Sequence, residues 1–241
     1  MFLFLASLLG GALNALAGGG SFIALPALLY AGVPAVAANA TNTFALWPAA
    51  VSGAWAYRRE IVAARSWLVT LGIISLVGGL VGGLLLIRTS NSAFLRLLPW
   101  LMLIAAATFT FAGSILGRFG GPGRHLSVAG ILLQLIIAIY GGYFGGGMGI
   151  MTLAALSIAG MTDIHQMNGV KLVLAVLING ASLVEFLIGG VVVWRPAVVM
   201  AAGSVIGGYT AASIARTLDQ RNVNAFIVVV AWVLTIYFFL R

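Results

Sequence analysis

Lysine occurs once in these 241 residues, at Lys171, and it lies inside an apolar segment. Asn168 precedes it by three residues, and Asn39 and Asn42 repeat that spacing earlier in the chain. Residues three apart share a helix face, so each pair presents polar groups from one surface. At about 100° per residue, Asn179 falls about 20° from Asn168, and Ser182 about 40° away on the Lys171 side. One polar stripe therefore holds Asn168, Lys171, Asn179 and Ser182. If the helix starts at an N-cap formed by Thr162 or Asp163, Lys171 lies roughly 12 Å in, near the middle of a hydrocarbon core about 30 Å thick. A charge at that depth is costly and normally faces a water-filled path or a partner. Two roles fit: an ammonium that holds an anion, or a group that carries a proton during transport. The competing use is a structural ion pair. Glu185, the only acid deep enough to serve, is about 21 Å further along the same helix and is better placed to meet Arg195 or a headgroup.

Two glycine runs form the second constellation: Gly18-Gly19-Gly20-Ser21 and Gly145-Gly146-Gly147-Met148-Gly149. Irregular backbone at membrane depth is tolerated only where protein buries it or where it lines a cavity. A new helical stretch follows each break, Phe22 to Tyr30 and Ile150 to Ala159. Its first N–H groups lack intrahelical partners and carry the positive end of the dipole. Two such starts converging near the midplane would make an anion site. Close glycine packing between helices is the alternative, and Gly78, Gly79, Gly82 and Gly83 fit it, because they recur at small-xxx-small spacing in an unbroken span.

Other polar residues carry less. Asn14 and Gln134 precede the two breaks; they either line the same cavity or satisfy backbone groups freed by the glycines. His165, beside Asp163, reads as part of an interfacial cap. His125 and the arginines read as interface anchors, and Trp47, Trp55, Trp100, Trp194 and Trp232 as belt or packing residues.

The elements that must position these groups follow from composition. Sixteen charged residues make up 7% of the chain, against 62% hydrophobic residues and 32 glycines. Soluble domains carry about 25% charged residues, so a polytopic helical membrane protein is left. The net charge of +8 does not indicate nucleic-acid binding: the arginines stand singly or in pairs between apolar runs, where juxtamembrane anchors belong. The chain has no cysteine, which excludes disulfides and thiolate chemistry. There is no H-E-x-x-H, G-x-S-x-G or nucleotide-binding loop. Two histidines and four acids leave too few groups for a metal site or a paired-carboxylate enzyme, and no cofactor is implied.

Apolar stretches run over 2–31, 35–56, 66–87, 93–116, 126–159, 164–190, 196–215 and 222–240. With about 20 residues per span, they predict an all-α integral membrane protein of about eight helical segments. The first and fifth exceed one crossing, and these are the two broken by glycine. An internal repeat accompanies the breaks. A shift of 127 sets Gly18–Gly20 on Gly145–Gly147, and a shift of 129 sets Asn39–Asn42 on Asn168–Lys171 and Gly78-Gly79 on Gly207-Gly208. This predicts two repeated halves of four segments each, 1–117 and 118–241. The apolar start ending in Ala15-Leu16-Ala17 looks like a signal peptide, but it lacks a basic n-region and matches an integral segment in the second half, so retention is expected.

If each broken segment crosses the bilayer, the halves are parallel; if each folds back as a re-entrant hairpin, they are inverted. Arginines divide seven to four between the two sides in both arrangements, so the positive-inside rule does not choose. The first arrangement places the C-terminus in the cytoplasm, the second outside. Small-residue faces around Gly78–Gly83 and Gly203–Ala211 could pack within one chain or between two copies, as in a homodimer.

Gly18-Gly-Gly-Ser-Phe-Ile-Ala-Leu-Pro26, then Gly32-Val-Pro34, Asn39-Ala-Thr-Asn42 and Tyr57-Arg58-Arg59 resemble the sulfite exporter TauE/SafE family. The second triple glycine and Asn168 to Lys171 resemble that family's repeated unit, so the resemblance covers nearly the whole chain. Leu153 stands where Pro26 would fall in the second copy. The resemblance implies a bacterial inner-membrane, multi-pass permease moving sulfite or small organosulfonates, outward. The combined expectation is a secondary transporter for a small sulfur oxyanion, sulfite or a sulfonate such as sulfoacetate, bound near the midplane. The expected site residues are Gly19, Gly20, Ser21, Asn39, Thr41, Asn42, Gly146, Gly147, Met148, Asn168, Lys171 and Asn179. A passive anion channel and a non-transporting membrane scaffold are the rival classes; the partners expected are the anionic substrate and the lipid bilayer.

Overall fold

The computed structural model describes residues 1–119, 127–214 and 220–240. Among these, eleven helices follow in order. They are α1 (Phe2–Ala17), α2 (Ser21–Tyr30), α3 (Ala35–Ala56), α4 (Arg58–Ala63), α5 (Arg65–Arg88), α6 (Asn91–Phe119), α7 (Val128–Tyr143), α8 (Met148–Ala159), α9 (Ile164–Ile188), α10 (Trp194–Ile214) and α11 (Gln220–Leu240). By length and composition, α5, the Asn91–Phe111 part of α6, and α9 are long and apolar enough to cross a membrane. Arg124, His125, Arg216 and Arg241, read from the sequence as interface anchors or orientation markers, lie outside the described residues.

Both glycine-broken segments are helical hairpins that fold back. Phe2 at the start of α1 meets Tyr30 at the end of α2, with ring centroids 5.7 Å apart, while Gly10 and Gly20 pack backbone to backbone nearer the turn. In the second hairpin, Ser127 N–H donates to Ala159 O at 3.3 Å, and Gly141 packs on Met148 at the other end. Of the two arrangements the charge count could not separate, packing selects the re-entrant one. Glycine permits the reversal: Gly18 and Gly145 turn at φ +83° and +82°, a left-handed conformation that costs an L side chain about 1–2 kcal/mol.

The hairpins enter from opposite faces. The turn after α2 lies near the start of α6, since Val36 N–H donates to the Asn91 side chain at 2.9 Å. The α9–α10 turn is on this same face, because Val193 N–H donates to Thr41 Oγ1 at 3.0 Å. This is the face of Met1. The end of α11 also reaches it, where Phe239 packs edge-to-face with Trp100. α4 and the ends of the second hairpin occupy the opposite face, where Ile61 packs on Gly169 of α9.

Small residues set the closest contacts. Gly78 and Gly82 of α5 meet Ala138 and Ile139 of α7, and Gly79 and Gly83 meet Ile178 and Ser182 of α9. Gly203 and Gly207 of α10 pack on Ser7 and Leu8 of α1 in the same manner. A Cβ on Gly82 or Gly207 would overlap the carbonyl oxygen of Ile139 or Leu8. Both small-residue faces are thus occupied within one chain, which removes the sequence argument for a homodimer through them. The largest apolar cluster joins Phe22, Phe94, Phe144 and Phe186, each no more than 1% exposed.

Candidate functional site

The two hairpin tips meet side by side in the interior. A Cβ on Gly18 would stand 3.8 Å from the Gly149 Cα, and one on Gly149 would stand 3.6 Å from Lys171 Cδ. Around this contact is a cavity of about 50 Å³ lined by α1, α2, α3, α8, α9 and the Phe144–Gly145 turn. Its polar lining is Asn14, Ser21, Asn42, Thr43, Lys171 and Asn179. Asp163 caps α9 as the sequence suggested, its Oδ1 accepting from His165 N–H at 2.9 Å and Gln166 N–H at 3.2 Å. With that start fixed, Lys171 lies in the third turn.

Four of these side chains, Ser21, Asn42, Thr43 and Lys171, are held by specific partners. Lys171 Nζ donates to Asn168 Oδ1 at 2.9 Å, and Asn168 Nδ2 donates to Ile164 O at 3.0 Å. Asn168 therefore orients the ammonium from outside the cavity. Asn42 Nδ2 donates to Ser21 Oγ at 3.0 Å, tying α3 to the first hairpin. Asn39 Nδ2 donates to Tyr143 O at 2.9 Å, tying α3 to the second. The i, i+3 asparagine pair thus holds both tips from one helix face, although only Asn42 reaches the cavity. Asn39 Oδ1 and Asn42 Oδ1 are buried without a hydrogen-bond partner among the described residues.

A model described as "Sulfite exporter TauE/SafE" matches residues 3–238. The chain belongs to the TauE/SafE family. Curated relatives agree. It is 28% identical over 236 residues to a Haemophilus influenzae protein named "Probable membrane transporter protein", covering 97% of this chain and 91% of that one. Identity to "Probable membrane transporter protein YfcA" of Escherichia coli strain K12 is 26% over 239 residues, covering 97% and 87%. Identity to "Probable membrane transporter protein ORF9" of a Sinorhizobium species is 25% over 240 residues, covering 98% and 90%. No solved structure matches. The coarse function follows: this TauE/SafE protein is a membrane permease.

Of the residues singled out from sequence in this TauE/SafE chain, Ser21, Asn42, Met148, Lys171 and Asn179 line the cavity. Gly19, Gly20, Gly146 and Gly147 do not. A Cβ would stand 2.9 Å from Ile227 at Gly19, 2.6 Å from Phe144 at Gly146 and 2.8 Å from Ala105 at Gly147, and at Gly20 it would overlap the Gly10 carbonyl. These four make the tips thin enough to pack. Gly18, Gly145 and Gly149, beside them, form the wall. Thr41 accepts from the α9–α10 turn and is 0% exposed, away from the cavity.

Asn14 lines the cavity, whereas Gln134 does not: its Nε2 donates to Ser75 Oγ at 3.0 Å between α7 and α5. Thr43, which sequence reasoning passed over, is in the wall and donates to Asn39 O at 3.1 Å. Glu185 Oε2 is buried against Gly83 of α5 without a hydrogen-bond partner among the described residues, and Arg88 of α5 is a positive charge near it.

The surroundings of the cavity differ between the two faces. Toward the Met1 face the tips are backed by Asn39, Thr41 and Phe144, all no more than 1% exposed. Toward the α4 face, the lining continues along Leu46 and Ala50 of α3 and Leu172 and Ala175 of α9, and Lys171 itself is only half-buried. This conformation is sealed on the Met1 side.

Proposed function

We propose that this permease is a secondary transporter for a small sulfur oxyanion, sulfite or an organosulfonate such as sulfoacetate, bound between the hairpin tips. The observation that carries the reading is one ammonium, Lys171, in a cavity of about 50 Å³ otherwise lined by amides, hydroxyls and backbone. Such a lining offers hydrogen-bond donors and one positive charge to an oxyanion and no carboxylate to repel it. Two hairpins entering from opposite faces and touching at Gly18 and Gly149 also support alternating access, because relative motion of the tips would expose one site to either side. The sealed Met1 side favours a gated carrier over a continuous pore.

Residues 1–117 and 118–241 form two inverted halves in this proposal. α1 against α10 and α5 against α7 are reciprocal pairings that such a relation would produce. Six long helices and two hairpins support a multi-pass protein, placed in this reading in a bacterial inner membrane. The exposed Arg58, Arg59 and Arg65 mark the α4 face as cytoplasmic under the positive-inside rule. Net flux follows the substrate gradient or protons, with Lys171 the candidate proton carrier.

Counterflow of labelled sulfite into proteoliposomes loaded with unlabelled sulfite tests the proposal. Saturable exchange stimulated by internal substrate is expected. Flux that rises linearly with concentration and shows no trans-stimulation would mean a channel, and absence of flux for all sulfur oxyanions would remove the reading.

A further inference from the structure

The charge on the site can be counted. Lys171 is the one Lys, Arg, His, Asp or Glu among the cavity-lining residues. The helix starts at Ser21 and Met148 each carry about half a positive charge, but each stands beside the helix end that precedes it in its hairpin. α1 ends at Ala17, four residues before α2 begins, and α7 ends at Tyr143, five before α8 begins. These ends carry the opposite half-charge, so each tip is neutral to first order. Lys171 supplies the one full positive charge of the site.

We infer that the site is built for a monoanion, hydrogen sulfite in place of the sulfite dianion, and that it rejects sulfate and sulfoacetate on charge. This rests on the transport reading above and narrows its substrate. A dianion would leave one charge uncompensated in a partly buried cavity, where incomplete hydration still makes an unpaired charge costly. Asn42 adds a second reason. Its Oδ1 is buried and unpartnered on a residue of the cavity wall, and an acceptor turned toward the cavity would accommodate an anion that still carries a proton. Size agrees: a water occupies about 10–15 Å³ on this measure, so about 50 Å³ holds a four-heavy-atom oxyanion and is cramped for sulfoacetate.

The groups facing Lys171 contain no second titrating partner. α1 offers Asn14, the turn after it Gly18, α3 offers Asn42 and Thr43, α8 offers Gly149, and Asn168 on its own helix accepts from it. Glu60 of α4 stands against Gly169 of α9, outside the cavity lining.

The test compares labelled sulfite with labelled methanesulfonate, a monoanion that does not ionise near neutral pH. Initial uptake into proteoliposomes, above protein-free liposomes, is measured as external pH rises through the hydrogen sulfite ionisation. Dividing each sulfite rate by the methanesulfonate rate at that pH removes any titration of the protein, Lys171 included. The ratio is expected to fall in step with the hydrogen sulfite fraction. Sulfate and sulfoacetate should compete at least about ten-fold less well than methanesulfonate, and in detergent methanesulfonate should raise the unfolding temperature where sulfate does not. A ratio that is flat or rises with pH, equal competition by sulfate, or no methanesulfonate recognition beside active sulfite uptake overturns the monoanion assignment alone. Absence of sulfite uptake overturns the transport reading and takes this inference with it.

Discussion

Lys171→Gln removes the charge while keeping an amide that can donate to Asn168. An anion in contact with the ammonium at about 4 Å gains roughly 4 kcal/mol of Coulomb energy at an effective dielectric of 20. That sets an upper value of about three powers of ten in affinity. The half-buried position of Lys171 admits water and lowers this, so a loss of about 100- to 1,000-fold is expected. Sulfite affinity would be measured by half-saturation of counterflow and, without turnover, by thermal stabilisation in detergent. Lys171→Met goes further, because it strips the half-buried Asn168 Oδ1 of its 2.9 Å donor and adds a stability cost of about 0.5–1.5 kcal/mol. Binding should therefore fail in both variants, while the unfolding temperature drops mainly in the Met variant. Unchanged sulfite affinity in well-folded Lys171→Gln would take Lys171 out of the site and leave the cavity without an anion-binding charge.

Other consequences are equally specific. Asn39→Leu cuts the tether to Tyr143 O without touching the cavity lining, so maximal flux should change more than half-saturation; the reverse pattern would place Asn39 in direct contact with substrate. Gly18→Ala forces a side chain into φ +83° at the tip contact and should destabilise by about 1–2 kcal/mol, read as a lower unfolding temperature, whereas a neutral effect would deny the turn geometry. Gly207→Leu drives a side chain into the Leu8 carbonyl and should prevent folded protein from accumulating, measured by monodisperse yield; normal yield would contradict the α1–α10 packing. A C-terminal reporter fusion should read as outside the cytoplasm, because Leu240 shares the Met1 face; a cytoplasmic signal would require crossing segments in place of hairpins.

Much of this architecture is legible from residue order. Apolar runs and arginine breaks locate the long helices, and the triple glycines mark where helices cannot continue, because φ near +80° at Gly18 and Gly145 excludes most side chains. Lys171 stands out by being single, and its three-residue spacing from Asn168 anticipates the hydrogen bond between them. The hairpin fold is not legible in the same way. It depends on contacts such as Phe2 with Tyr30, and the arginine count is the same whether the segments cross or return. Glycine identity also hides a division of labour: Gly18, Gly145 and Gly149 face the cavity, while Gly19, Gly20, Gly146 and Gly147 make room for neighbouring chain. Only packing separates them. Asn14 and Gln134 look equivalent ahead of the two breaks, yet one lines the cavity and the other bonds Ser75, since the partner lies on a helix distant in sequence. The short α4 also escapes the apolar pattern, because its six residues Arg-Arg-Glu-Ile-Val-Ala read as a charged connection.

The most direct test is to locate the anion itself. Selenite, the selenium counterpart of sulfite, can be soaked into crystals of the protein and found by its anomalous scattering. One peak is expected at the meeting of the hairpin tips, within hydrogen-bond reach of Lys171 Nζ and beside Ser21 and Asn42, and it should vanish in Lys171→Gln. A peak elsewhere in the membrane-spanning region, or one that survives in Lys171→Gln, would contradict the assignment of the site.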